Sequence, residues 1–254
     1  MTRETRPRAR DARLEASKKR TNPFPAGLEG GQYRPLTEDG VRRIHVAALS
    51  VLERTGVEIL ESECRRIFAQ AGARIDQSRN RVFVPQGLVE KALETVNRDV
   101  VLYSKNGQTD LHLRGKRVHL GTGGAAINIL DLDSGQARKT VLRDLYDIGR
   151  LVENLDHIHF YLRAVVAQDI PSEEIDINTF YACLTATHKH VMGGCYFPEK
   201  VAQIKRLGVI LAGGEAEFRR RPILSFNLGW MVSPLRFAPE TTETLTAAIR
   251  AGIP

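Results

Sequence analysis

The chain has 254 residues, 42% of them hydrophobic and 26% charged, enough to bury a sizeable core in one or two domains. No run approaches the roughly 18 uncharged apolar residues that a membrane span needs, so no membrane partner is expected. The net charge is +7, but residues 1–35 hold nine of the 37 Lys and Arg against four of the 30 Asp and Glu, so the basicity belongs mostly to a tail.

Residues 1–35 lack an apolar pattern and are rich in Arg, Lys, Pro and Gly, which predicts a disordered, solvated basic tail. No aromatic is interleaved with its arginines to stack on bases, which disfavours nucleic acid as a partner. Three scattered cysteines, Cys64, Cys183 and Cys195, without a C-x-x-C spacing favour a reducing cytoplasm over a disulfide framework or structural zinc.

Residues 36–139 read as a small α+β lead-in followed by a β meander. Thr37 is the expected N-cap of a helix carrying Val41, Ile44, Ala48, Val51 and Leu52, with Gly56 beyond its end. A strand over 57–60, a helix capped by Ser62 and stopped near Gly72, a strand over 81–84 and a helix opened by Pro85 follow. Asn106-Gly107 signals a hairpin between 100–103 and 110–113. Strands are expected over 117–120 and 126–130. Gly121-Thr122-Gly123-Gly124 has the form of the front of a dinucleotide fingerprint and is the candidate cofactor loop, although Ile127 and Ile129 continue as a strand where a helix would be needed. The competing reading of these residues is a tight turn with close backbone approach. Asp131-x-Asp133-x-Gly135 has calcium-loop character without the closing glutamate, so a hairpin turn is preferred.

Thr140 is the expected cap of a helix with Leu142, Leu145, Ile148, Leu151, Val152 and Leu155, opening a region 140–254 of β/α units. Apolar runs at 157–166, 189–193 and 222–229 are each followed by a loop and a segment of helical periodicity. Such alternation predicts parallel strands joined by helical crossovers. Ala251-Gly252-Ile253-Pro254 reads as a helix-ending glycine and the first residues of a fourth strand. His157/His159 and His188/His190 stand two apart, a spacing also used by metal-dependent hydrolases. They fall where strands begin, whereas catalytic groups on β/α folds gather where strands end, so no metal ligand is assigned. At the strand ends stand Asp169, Tyr196, Phe197, Asn227, Trp230 and Ser233. Aromatic faces attract a quaternary ammonium, which makes Tyr196, Phe197 and Trp230 candidate substrate walls; the competing reading is that these rings simply plug the top of the sheet.

The segments 121–135, the helix start from Thr140 to Asp144, Gln168-Asp169-Ile170-Pro171, Thr187-His188-Lys189-His190 and Ser233-Pro234-Leu235-Arg236-Phe237, in that order, resemble the trimethylamine methyltransferase family, including its relatives acting on quaternary amines such as glycine betaine. The resemblance implies an α/β fold, here a partial (truncated) TIM-type β/α barrel, because an eight-fold barrel takes about 250 residues by itself. It implies methyl transfer from a tertiary or quaternary methylamine to the cobalt of a separate corrinoid protein, with no cofactor bound directly by the chain itself. The fragment is expected to be weakly stable, self-associating or inactive alone, with its own carboxyl half or another copy as a further partner. A metal-dependent hydrolase, and a non-catalytic remnant or split-enzyme half, remain the alternatives.

Overall fold

The computed structural model of the protein describes residues 24–254; most of the expected basic tail lies outside the described residues. The segment next to it is ordered: Leu28–Glu29 forms a short strand, β1, because Gly27 and Gly30 let the backbone approach a partner closely enough to donate to Val118 O and Lys116 O.

Thr37 caps α1 (Glu38–Ser50), its Oγ1 accepting the Gly40 N–H at 3.1 Å. A π-helical turn, Val51–Thr55, follows and ends at Gly56, whose φ is 70°. A Cβ at Gly56 would lie 2.5 Å from the Val82 carbonyl oxygen, so both the left-handed conformation and the close approach demand glycine. Next come β2 (Val57–Ile59), α2 (Ser62–Gln70), β3 (Arg74–Asp76), β4 (Arg81–Phe83) and α3 (Gln86–Thr95). The cap of α2 is Glu61, one residue earlier than expected, because its longer carboxylate reaches two free amides, those of Glu63 and Cys64.

The expected meander resolves into separate pairings. β5 (Val100–Leu102) and β6 (Leu111–Leu113) form a hairpin, β7 (Arg117–Val118) pairs with β1, and β8 (Asn128–Leu130) forms a second hairpin with β9 (Ala137–Lys139). The Asp131 carboxylate accepts from the Ser134 amide and hydroxyl and from Arg138, which makes 131–135 a hairpin turn.

α4 (Leu142–Glu153), β10 (Tyr161–Leu162), α5 (Ile175–Ala186), β11 (Val191–Gly193), α6 (Val201–Ala212), α7 (Glu215–Arg220) and β12 (Leu224–Phe226) then alternate, and β10, β11 and β12 are parallel neighbours in sequence order. The three apolar runs therefore do form three parallel strands. Thr140 is not the cap of α4: its hydroxyl is buried and donates to Val166 O, while Asp144 accepts from Val141 N and Asp169 from Leu142 N. β13 (Met231–Val232) and β14 (Arg236–Phe237), joined through a cis Ser233–Pro234 bond, precede α8 (Pro239–Ala251). They leave the parallel sheet and join the lead-in, giving a five-stranded sheet ordered β13-β14-β2-β4-β3.

Two cores result. The larger lies between the parallel sheet and its helices and contains Leu145, Tyr161, Phe180, Leu184, Val191, Ile204, Phe218 and Leu224. The smaller holds Val57, Ile59, Val82, Val84 and Phe237. The architecture is mixed α/β with several small sheets, and no closed barrel is present among the described residues. None of the described helices is long and apolar enough to cross a membrane.

Candidate functional site

The C-terminal ends of β10, β11 and β12 lie side by side because the strands are parallel and in register, Met192 opposite Leu162 and Ser225. Chain leaving one strand end is therefore brought against chain leaving the next. The loop after β11, residues 194–197, is held from α5. Asp176, 1% exposed, accepts on Oδ2 the backbone N–H groups of Tyr196 and Phe197, each at 2.9 Å, and the Cys195 thiol at 3.4 Å. Burial and the neighbouring Asp176 charge push the Cys195 thiol up, which keeps it protonated and unreactive at neutral pH. The other Asp176 oxygen and the Thr179 hydroxyl, one turn along α5, are buried without a hydrogen-bond partner among the described residues.

With the loop pinned, the Tyr196 ring meets Arg163, the first residue after β10. Arg163 Nη2 donates to Tyr196 Oη at 3.1 Å and the guanidinium lies 5.1 Å from the ring centroid. Asn227, the first residue after β12, is exposed and its amide donates to Gly193 O at 2.8 Å, which ties the third strand end to the second. Arg163, Asp176, Tyr196, Phe197 and Asn227 thus form one cluster at the strand ends.

The remaining sequence candidates lie outside this cluster. Asp169 is exposed and accepts the Leu142 N–H at 2.7 Å, binding the first turn of α4. Trp230 packs edge-on to Phe237 with centroids 4.6 Å apart and, with Met231, Phe68 and Leu88, lines an apolar groove of the lead-in sheet. Its ring contact is with Phe237 and not with Tyr196. Ser233 is exposed in the turn between β13 and β14. Gly121, Thr122, Gly123 and Gly124 run along the outer edge of β10: Gly121 bridges Phe160, and the Thr122 hydroxyl donates to Leu162 O. Strand β8, not a helix N-terminus, follows, so the amide cradle of a dinucleotide site is not formed there. Gly121 is glycine because a Cβ would come within 2.2 Å of the Phe160 ring.

Arg163 and Asp176 escaped the sequence reading. Arg163 sits inside the apolar run 157–166 expected to be strand, and Asp176 sits inside the helical segment that follows it. Strand-end position was the available signal for Arg163; for Asp176 there was none, because its partners lie twenty residues away.

The opposite end of the parallel sheet is also polar. Lys189 is buried with its ammonium donating to the carbonyl of Val152 in the last turn of α4 and to those of Leu155 and Ile158 in the segment just beyond it. Burial works to raise Glu153, but hydrogen bonds from Thr187, His188 Nδ1 and His188 N bring it down to about 2. His190 bonds Tyr103 O and Ser225 Oγ through its two ring nitrogens and is lowered to about 4 by burial. His159 accepts from Leu120 N and donates to Phe24 O. These ring nitrogens are engaged in bracing, and no group of three or more His, Cys, Asp or Glu suited to a metal gathers among the described residues.

The family model of trimethylamine methyltransferase (MTTB) matches residues 3–254. The trimethylamine methyltransferase MttB of Desulfitobacterium hafniense (strain DSM 10664 / DCB-2) is 33% identical over 229 residues, which are 90% of this chain and 46% of that protein. MttB1 of Methanosarcina mazei is 27% identical over 232 residues, 89% of this chain and 47% of the relative. A glycine betaine methyltransferase of Desulfitobacterium hafniense (strain Y51) is 26% identical over 222 residues, 87% of this chain and 46% of the relative. The chain spans about half the length of these curated relatives. A match that runs through the lead-in, both hairpins and all three parallel strands makes this chain a member of the trimethylamine methyltransferase family.

Proposed function

We propose that the chain carries the amine-binding side of a methyltransferase that moves a methyl group from a tertiary or quaternary methylamine, trimethylamine or betaine-like, to the cobalt of a corrinoid on a partner protein. The observation that carries this reading is the cluster of Arg163, Asp176, Tyr196 and Phe197 at the ends of three parallel strands in a member of this family. Parallel strands adjacent in sequence order, with helices between them, are how the staves of a β/α barrel follow one another, and substrates of such barrels sit at the C-terminal strand ends. This supports reading the three strands as part of a TIM-type barrel. β12 has an edge on which a further strand can pair, and Pro254 O already accepts the Phe226 N–H there at 2.8 Å.

In this mechanism Asp176 fixes the loop that carries Tyr196 and Phe197, so that the exposed Tyr196 ring is held in place before a substrate arrives. Asn227 positions the substrate from the third strand end. A quaternary amine, or a tertiary amine that enters as its protonated ammonium ion, gives up its methyl group with the C–N electron pair staying on nitrogen, so a neutral amine leaves and no general acid is required. A Cys195 held protonated is consistent with that demand. The corrinoid, when presented by its partner, supplies the reduced metal that accepts the methyl group. Tyr196 is 47% exposed and Asn227 is exposed, so a methyl group bound between them stays accessible to an acceptor brought from outside. The three cysteines are free, which supports a reducing, cytoplasmic setting.

The test is methyl transfer followed by cobalt absorbance, using the chain, reduced cobalamin and either trimethylamine or glycine betaine, with and without a polypeptide supplying the second half of a relative. Transfer is expected once the second half is present. Absence of transfer under both conditions, with a full-length relative active in parallel, overturns the proposal.

A further inference from the structure

We infer that helix α1 is a contact between two copies of this chain, pairing antiparallel with its own counterpart along the stripe Val41, Ile44, Ala48 and Val51. The inference stands on the lead-in and is independent of the methylamine reading. Every other α-helix of the described residues leaves at most one large apolar side chain exposed, whereas α1 leaves Val41, Ile44 and Val46 exposed at 51%, 58% and 58%, and Val51 follows at 39%. Its own chain holds α1 by the end, where Leu49 is buried and Leu52, just beyond, packs against the smaller core. A helix of 13 residues is marginal in water even when built from good helix formers, and Gly40, Val41, Ile44 and Val46 are poor ones. Such a sequence suits a helix packed on something, not one left in solvent.

The stripe reads the same in both directions, which points to a second copy as its cover. Its members are spaced three, four and three residues apart, so at about 100° per residue they share one face. A second α1 turned end for end sets Val41 opposite Val51 and Ile44 opposite Ala48, large against small. That is the condition for a two-fold contact, in which one patch meets itself. The same alignment sets Glu38 opposite Arg54 at each end of the pair. Among the described residues Glu38 and Arg54 enter no ion pair, whereas Asp39, beside Glu38, holds Arg42. A parallel pair would set like charge against like at both ends and align the two helix dipoles unfavourably. The basic tail is a poorer cover, since α1 itself carries Arg42 and Arg43.

The experiment is sedimentation velocity over a range of concentrations on the chain and on Ile44→Glu, Val46→Glu, Glu38→Arg and Arg54→Glu, with a thermal melt of each in the dilute range where monomer prevails. The unchanged chain should double in mass as its concentration rises. Ile44→Glu, which sets a carboxylate from each copy into the stripe, should weaken association at least about hundredfold while melting with the unchanged chain when dilute. Val46→Glu, on the far side of the helix, should leave association within about twofold. Glu38→Arg or Arg54→Glu alone should weaken it about fivefold, and mixing those two variants should recover it to within about twofold, because each copy then meets the opposite sign at both ends. Monomer at every concentration, association that survives Ile44→Glu, or an equal loss in Val46→Glu overturns the inference. Adding the second half of a relative should leave the pair intact; a pair that separates as that half binds overturns the inference and gives the stripe to that half. If Ile44→Glu fails to fold, the mixed charge variants decide, and no recovery on mixing overturns the inference.

Discussion

Asp176 and Tyr196, twenty residues apart, are joined by a 2.9 Å hydrogen bond from the Tyr196 amide to a carboxylate that is 1% exposed. Because the same oxygen also takes the Phe197 amide and the Cys195 thiol, this one side chain sets the shape of the loop. Asp176→Ala should leave two amides without acceptors and cost about 2–3 kcal/mol in urea unfolding. Hydrogen exchange should show the Tyr196 and Phe197 amides losing protection before the β11 amides do. Uniform loss across the sheet would mean that Asp176 supports the core and not the loop in particular.

Gly121→Ala brings a methyl group against the Phe160 ring at a distance no contact tolerates, so the 121–126 segment must lift from β10 or the ring must turn away. A cost of about 1–3 kcal/mol is expected in chemical denaturation. Combining it with Phe160→Ala should recover part of that loss, the signature of two residues in direct contact.

His190 sets an acid limit on stability. Its folded value, about 4, lies below its ordinary 6.5 because burial disfavours the imidazolium. A depressed folded value means that stability is fully present above pH 6.5 and is lost as pH falls through 4, since the unfolded chain takes up the proton first. Glu153, about 2 against its ordinary 4.5, acts in the same direction over a lower window. Urea midpoints measured from pH 7 to pH 4 should decline, and His190→Asn should flatten the decline above pH 4.5 while lowering stability at pH 7.

Trp230→Ala separates two roles for one ring. Because the half-exposed indole packs on Phe237 over an apolar groove, its removal should cost about 1–2 kcal/mol of stability and leave glycine betaine affinity within about twofold. Calorimetric titration beside a thermal melt reads both. A large drop in affinity with little change in melting would return Trp230 to the substrate.

Helix α1 presents a contrast within about a turn and a half. Ile44 is 58% exposed, whereas Leu49 is 4% exposed. Ile44→Glu should change unfolding free energy by no more than about 0.5 kcal/mol, whereas Leu49→Ala should cost about 2–4 kcal/mol.

The sequence made some of this legible for definite reasons. The three parallel strands could be read because buried strands carry runs of apolar residues between turn signals, and Thr37 because an N-cap acts within four residues of itself. The apolar stripe of α1 was legible as a helix but not as an exposed face, since periodicity records what can be buried and not whether a neighbour covers it. The strand-end cluster was half legible. Tyr196, Phe197 and Asn227 follow from their positions after strands, whereas Asp176 depends on a contact across twenty residues. Asp169 and Trp230 had suitable chemistry at suitable positions, yet local partners, the Leu142 amide and the Phe237 ring, engage them in this fold. Composition cannot anticipate that competition.

The placement of β14 beside β2 has a consequence for how the polypeptide is made. Arg236 bonds Glu58 across 178 residues of sequence, and Phe237 completes the small core begun by Val57 and Ile59. During synthesis the first-made sheet must wait, one flank bare, while nearly all of the parallel layer emerges and folds between its two halves. Distant pairings are the slow ones and their precursors the sticky ones, so misassembly competes with folding in that interval.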